Sequence, residues 1–242
     1  MTTRRKSGPA KRSRAAPRDD SLRPRTDATR AEQQIEATKI KRYDREYFDR
    51  WYRDPRHRVS TDESLARKVR MVLCITEYLL GRTVRSVLDI GCGEAPWFPL
   101  LRRLRPAVRY RGLDPSAYVL GRFGARRNIR RGSLADLPAL AVRPADLVVC
   151  ADVLQYVPGS EVARGLRAIR RVARGVAYIE AFAAEDRMEG DQAGWHDRSA
   201  AWYRRAFRRA GLVQCGPYCF VDPRKHDNMN ALEHMSRSGS DH

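Results

Sequence analysis

Ser86-Val87-Leu88-Asp89-Ile90-Gly91-Cys92-Gly93-Glu94-Ala95-Pro96-Trp97 decides how this chain folds. Val87 to Ile90 is a short apolar run interrupted by one acid, and two glycines around Cys92 close it. Phe98, Leu100, Leu101 and Leu104 then recur at helical spacing. The stretch reads as strand, tight turn and helix. Its glycines permit a sharp turn and let a ligand approach bare backbone. Pro96 suits the first turn of the helix, where its missing N–H removes no helical bond. An acid at the carboxyl end of the strand suits a hydroxyl or an ammonium better than a phosphate.

Outward from this turn the pattern repeats. Short runs rich in Val, Ile and Leu at 110–113, 128–131, 146–150 and 176–179 read as strands. Thr61-Asp62-Glu63-Ser64 is a capping signal, and a helix follows with Leu65, Val69, Val72, Leu73, Thr76 and Leu79 inward, stopped by Gly81. Further helices are expected over 160–174 and 199–210, and late strands, as a hairpin, over 212–221. A short edge strand is expected near 230–233. This alternation predicts an α/β fold: a doubly wound, mainly parallel sheet with helices on both faces and late antiparallel edge strands.

An N-terminal helical extension over 31–51 precedes it. Tyr43, Tyr47, Phe48, Trp51 and Tyr52 crowd its end, which fits either burial against the domain or a lid over a ligand. The expected divisions are a disordered basic tail at 1–30, the aromatic extension at 31–60, the main domain at 61–235 and a loose tail at 236–242.

The totals limit the function classes. The chain has 242 residues, enough for one domain with a real core. It has no apolar run of membrane-spanning length. No secretory signal is legible at the N-terminus, so the chain is expected in the cytoplasm, away from membranes. Five scattered cysteines form no zinc pattern, and no metal is expected. Of the 48 basic residues 42 are Arg, and the first 30 residues hold ten basic residues against Asp19, Asp20 and Asp27, +7 of the net +19. The charge is thus part tail and part surface, a solvated coat more than a dedicated nucleic-acid groove.

In a doubly wound sheet, ligands sit at the carboxyl ends of the strands. Polar residues stand at each such end here: Asp89, Asp114, Ser133, Asp152 and Glu180. A dinucleotide site needs a third glycine and a helix start facing pyrophosphate; Pro96 takes the place of that glycine, and Asp89 would repel a diphosphate. Asp89 suits the amino group of a bound amino acid or a nearby ribose. Asp114, at the end of the next strand, stands where a carboxylate accepts from both ribose hydroxyls. S-adenosylmethionine satisfies both conditions.

Val87-Leu88-Asp89-Ile90-Gly91-Cys92-Gly93 resembles the first motif of class I S-adenosylmethionine-dependent methyltransferases, which have a Rossmann-like fold. Gly112-Leu113-Asp114-Pro115-Ser116 resembles their second motif, which implies ribose binding by Asp114. Gly132-Ser133-Leu134-Ala135-Asp136-Leu137-Pro138 is similar to their adenine-holding segment, with Ser133 in place of an acid that Asp136 replaces only if the loop shifts. The run from Asp146 to Tyr156 resembles the fourth motif of the branch acting on small molecules, which implies that Cys150, Ala151 and Asp152 line the methionine end. The implied cofactor set is Asp89, Gly91, Cys92, Gly93, Asp114, Pro115, Ser116, Ser133, Leu134, Cys150, Ala151 and Asp152. The Asn/Asp-Pro-Pro-Tyr element of base-amino methylation and the Pro-Cys nucleophile of cytosine methylation are both absent.

The expected activity is therefore methyl transfer from S-adenosylmethionine to a small-molecule acceptor. The alternatives are an RNA methyltransferase using the basic tail and surface, or a non-catalytic binder of the cofactor. Alignment of nucleophile, methyl and sulfur does most of the work, worth ~7–11 kcal/mol. Where the nucleophile must lose a proton, Asp152, Tyr156, Glu180 and His196 are the candidates, with Glu180 and His196 preferred as catalytic groups. Tyr43, Tyr47 and Tyr156 are expected to meet the acceptor. The sequence names neither the acceptor nor the oligomeric state.

Overall fold

The computed structural model describes residues 41–57, 61–186, 191–226 and 229–235. The tails expected at 1–30 and 236–242, and the helical positions 31–40, lie outside the described residues. Seven strands form one sheet: β1 (Ser86–Ile90), β2 (Arg109–Asp114), β3 (Ile129–Arg131), β4 (Ala145–Ala151), β5 (Ala173–Glu180), β6 (Val213–Gly216) and β7 (Cys219–Val221). Their order is β3-β2-β1-β4-β5-β7-β6. β1 to β5 pair in parallel, and β7 and β6 close the edge antiparallel. The strand order reverses between β1 and β4, so the turns after these two neighbours open a crevice.

Six helices are described: α1 (Arg45–Phe48), α2 (Asp62–Leu80), α3 (Trp97–Leu104), α4 (Ala117–Arg127), α5 (Gly159–Val172) and α6 (Ala200–Arg209). Local signals set their ends. The Thr61 hydroxyl accepts from the Ser64 N–H to start α2, and Gly81 ends it in a left-handed cap. Ser116 and Ser199 cap α4 and α6 in the same manner.

Strand residues point alternately to two cores. Leu88, Ile90, Val148, Cys150, Ala177 and Ile179 pack with α5 and α6. Val87, Leu147, Val149, Val176 and Tyr178 face α2, α3 and α4. With both faces covered, β4 reads as an unbroken apolar run, as parallel strands do. Asp146 is the exception within it: its carboxylate accepts two hydrogen bonds from Arg82, at 3.0 and 2.8 Å, and one from the Arg85 N–H at 2.8 Å.

Three expectations need correction. The helix expected to run to Arg174 stops at Val172, because Ala173 already pairs with Ala145 at the start of β5. The extension is not a continuous helix to Trp51. Residues 41–44 are irregular, Asp44 caps a single turn by accepting from the Tyr47 N–H, and Asp49–Arg53 is a π-helical turn closed by the Asp54 N–H on the Asp49 carbonyl. The edge strand expected near 230–233 is a 3-10 turn, Ala231–Glu233, held by a reciprocal capping box between Asn230 and Glu233.

Candidate active site

The glycine turn after β1 is the floor of the site. The Gly91 and Cys92 N–H groups both donate to the Leu113 carbonyl, at 2.8 and 3.1 Å, which folds the turn against β2. Gly91 and Gly93 have φ of 66° and 53°, the left-handed region that glycine enters without strain. Space is the second reason for both. A Cβ on Gly91 would lie 2.4 Å from Val153 Cγ2, and one on Gly93 2.6 Å from the Tyr52 hydroxyl. Tyr52 of the π-turn therefore rests directly on the turn.

Asp114, at the end of β2, accepts from the Gly93 N–H at 2.8 Å and from the Ser116 N–H at 2.9 Å. These bonds fix the carboxylate, and burial raises its pKa against their pull. Asp89 sits one strand away, buried, accepting from the Tyr110 hydroxyl at 2.7 Å. Burial pushes its pKa up to about 7, the Tyr110 bond opposes the rise and the neighbouring Asp114 adds to it. A carboxyl held this way titrates near neutrality unless a cation settles beside it.

After β4, Asp152 adopts φ 59°, which is rare for a residue with a side chain. Its N–H donates to the Glu180 carbonyl at 3.0 Å, so the strained turn is held from β5. It is exposed to solvent within the two cavities described below, whose walls flank it. Desolvation by those walls pushes its pKa up to about 6, Glu180 adds to the rise and Lys68 works against it. Glu180 accepts from Lys68 Nζ at 2.7 and 2.6 Å and from the Tyr178 hydroxyl at 2.9 Å.

Two adjoining cavities open here. One, of about 240 Å³, is lined by Gly93, Asp114, Pro115, Ser133, Leu134 and Ala135, with Tyr43 and Phe48 above. The other, of about 390 Å³, is lined by Asp89, Cys92, Trp97, Lys68, Glu180, Trp51 and Asp191 among others. Gly91, Ala151, Asp152, Tyr47, Tyr52 and Tyr156 border both. The segment 41–53 forms the roof. Phe48 is buried and stacks on Tyr118 with ring centroids 5.5 Å apart. The Ser116 hydroxyl donates to the Tyr43 carbonyl at 2.5 Å. Lys41 pairs with Asp191 and lies 3.6 Å above the Tyr156 ring.

Most of the expected set converges on these cavities, but three members do not. Ser116 lines neither; it caps α4 and clasps the roof. Cys150 is fully buried within the sheet and packs under α5, because its position in β4 faces the core and not the crevice. His196 is exposed and lines neither cavity; its backbone N–H donates to the Gln155 carbonyl at 2.7 Å. Partial burial and Arg198 lower its pKa. Asp136 is engaged by its own loop, accepting from the Ser133 N–H and hydroxyl at 2.9 and 2.7 Å.

Sequence reasoning passed over Lys41, Lys68, Trp97 and Gln155, and it placed Tyr52 among the aromatics without giving it a site. Lys68 carried a signal, since it falls with Leu65 and Val72 on the inward face of α2, where a lysine needs a partner. Trp97 and Gln155 were visible only as ordinary members of their motifs.

The family model described as a methyltransferase domain matches residues 34–228, four fifths of the chain. The chain belongs to the methyltransferase-domain family. No curated protein matches it. Among solved structures the methyltransferase domain is similar to TnmH, with 21% identity over 66% of this chain and 56% of that one and a TM-score of 0.43. It is similar to the [4+2]-cyclase SpnF, with 21% identity, 67% and 62% coverage and a TM-score of 0.48. For human N-acetylserotonin methyltransferase in complex with SAM the values are 18%, 78%, 64% and 0.48. The domain spans less than two thirds of the length of each of these three proteins.

Proposed function

We propose that this methyltransferase domain uses S-adenosylmethionine to methylate a small molecule. The observation that carries the reading is the division of labour among carboxylates at the β1–β4 switch. Asp114 is pinned by two backbone N–H groups in the smaller cavity, whereas Asp89 faces the larger one. A pinned carboxylate with spare lone pairs suits a ribose diol, and the neighbouring Pro115 and Leu134 offer apolar surface for a flat base. Asp89, in the other cavity, suits the ammonium of an amino-acid tail better than the ribose. The glycine turn between them offers bare backbone.

Bound S-adenosylmethionine would supply an electrophilic methyl group. The chain's own residues would orient the acceptor and exclude water. The cavity of about 390 Å³ has the size of a small-molecule site, and Trp51, Tyr47 and Tyr52 of the roof restrict access by anything larger. Glu180 is already saturated by Lys68 and Tyr178, which makes the pair a fixed polar anchor and not a free base.

Calorimetric titration with S-adenosylmethionine and S-adenosylhomocysteine tests the cofactor reading. Binding to the parent that is lost in Asp114→Ala is the expected result; equal binding by both, or by neither, would refute it. Transfer of labelled methyl into fractionated cell extract should place the label in the metabolite pool.

A further inference from the structure

The wall of the larger cavity is acidic inside a strongly basic molecule. Of the 42 arginines in the chain, none among the described residues lines either cavity, and no histidine does. The larger cavity has Asp62, Asp89, Asp152, Glu180 and Asp191 in its wall against Lys68 alone. Four of these are engaged within the protein: Asp191 by Lys41, Glu180 by Lys68 and Tyr178, Asp89 by Tyr110, and Asp62 by contacts of its own. The Asp152 carboxylate makes no hydrogen bond or ion pair among the described residues, and it opens on both cavities. Gln155 gives a second, independent sign. It lines the same cavity, is 1% exposed, and its Oε1 has no hydrogen-bond partner among the described residues. A solvent-open carboxylate that no cation among the described residues pairs with, beside a buried amide oxygen without a donor among them, suits a ligand that brings N–H groups.

We propose that the acceptor is an amine, held as its ammonium by Asp152 and Gln155 and methylated on nitrogen. This rests on the methyltransferase reading above. The ammonium first gives one proton, by way of Asp152, to water. The nitrogen lone pair then forms the N–C bond while the C–S electron pair returns to sulfur, so one positive charge passes from sulfur to nitrogen. A carboxylate beside the receiving nitrogen attracts that charge more strongly as it arrives, which lowers the barrier and not only the binding energy. The same wall opposes phenols and carboxylic acids, whose reactive forms are anions next to Asp152. Trp51 and Tyr52 complete a lining suited to a cation over aromatic faces, beside the Tyr156 ring that already carries Lys41.

The test compares binding of phenethylamine, p-cresol and phenylacetate to the parent and to Asp152→Asn, each with and without S-adenosylhomocysteine. Asparagine keeps the volume and tolerates the left-handed backbone, and the melting temperature checks that the variant folds. The parent should prefer phenethylamine, and the variant should lose roughly tenfold or more of that affinity while p-cresol is unaffected. Equal binding of the three probes, binding of none, or an unchanged variant overturns the proposal. Tyramine, which offers both groups, should receive labelled methyl on nitrogen; transfer to its oxygen also overturns it. Failure of the parent to bind S-adenosylhomocysteine would instead refute the cofactor reading, and the probe comparison without it still stands by itself.

Discussion

Asp89 and Asp114 stand at the ends of neighbouring strands, and their surroundings give them different tasks. Asp114 is held by two N–H groups, so its oxygens are oriented before any ligand arrives. Asparagine there keeps the shape but loses the charge and one acceptor, and affinity for S-adenosylhomocysteine should fall roughly 10- to 100-fold by calorimetry. Asp89 bears on pH. With burial pushing its pKa up to about 7, the empty site holds it protonated below that value. The unfolded carboxyl already ionises near the ordinary value of about 4. The empty fold therefore loses stability as pH rises from there and stops losing it once Asp89 itself ionises. A bound ammonium offsets that cost. Cofactor affinity should rise with pH, about tenfold per unit below the folded pKa, and level off above it. Asp89→Asn should flatten the profile, and a parent profile flat from weakly acidic to weakly basic pH would count against this role.

At the scale of the element, the roof segment 41–53 is fixed by few contacts of unequal strength. Phe48 is buried under Tyr47 and Tyr52 and against Tyr118, and removing a buried ring costs ~3–5 kcal/mol. The Arg53 pairs with Asp49 and Glu94 are partly exposed, and such pairs are worth at most ~1 kcal/mol. At the Phe48–Arg53 end, packing and not charge therefore seats the roof, while the mostly buried Lys41–Asp191 pair ties down its start. Phe48→Ala should raise hydrogen exchange across 41–53 and speed release of S-adenosylhomocysteine, while Arg53→Gln leaves both nearly unchanged. The reverse order would mean that ion pairs seat it. The π-turn at Asp49–Arg53 belongs to this scale as well. It places Tyr52 on Gly93 while Trp51 reaches the larger cavity, which the regular winding of an ideal α-helix would not be required to do. The aromatic cluster could be read in the sequence; its winding could not, because it follows from packing against a turn far along the chain.

For the whole molecule, stability at low pH depends on Asp146, buried in β4. Burial alone would raise its pKa, but Arg82 and the Arg85 and Ser86 contacts win and hold it below the usual carboxylate range. A depressed folded pKa adds stability that is present above the unfolded value, about 4, and is lost as pH falls below it. Asp146→Ala leaves the partly exposed Arg82 without its partner and removes the acceptor of the Arg85 N–H, and should cost ~1–2 kcal/mol at neutral pH, seen as a lower midpoint in urea, with the difference from the parent shrinking as the pH falls through the carboxylate range. The order of strands and helices was legible in the chain, because each strand buried on both faces must be apolar and each turn that carries it back must hold Gly, Asp or Ser. Asp89, Gly91, Gly93 and Asp114 were legible for the same reason: positions at strand ends and backbone demands are local. Ser116, Cys150 and His196 fall outside both cavities because the face a side chain takes depends on what packs opposite it. Local chemistry along the sequence thus determined the sheet, the glycine turn and the family of the chain. Only the tertiary structure brought Lys68 to Glu180, Lys41 to Asp191 and Tyr52 to Gly93, since these pairs are set by how the roof and α2 close over the sheet, and that closure is what makes one cavity acidic within a basic protein.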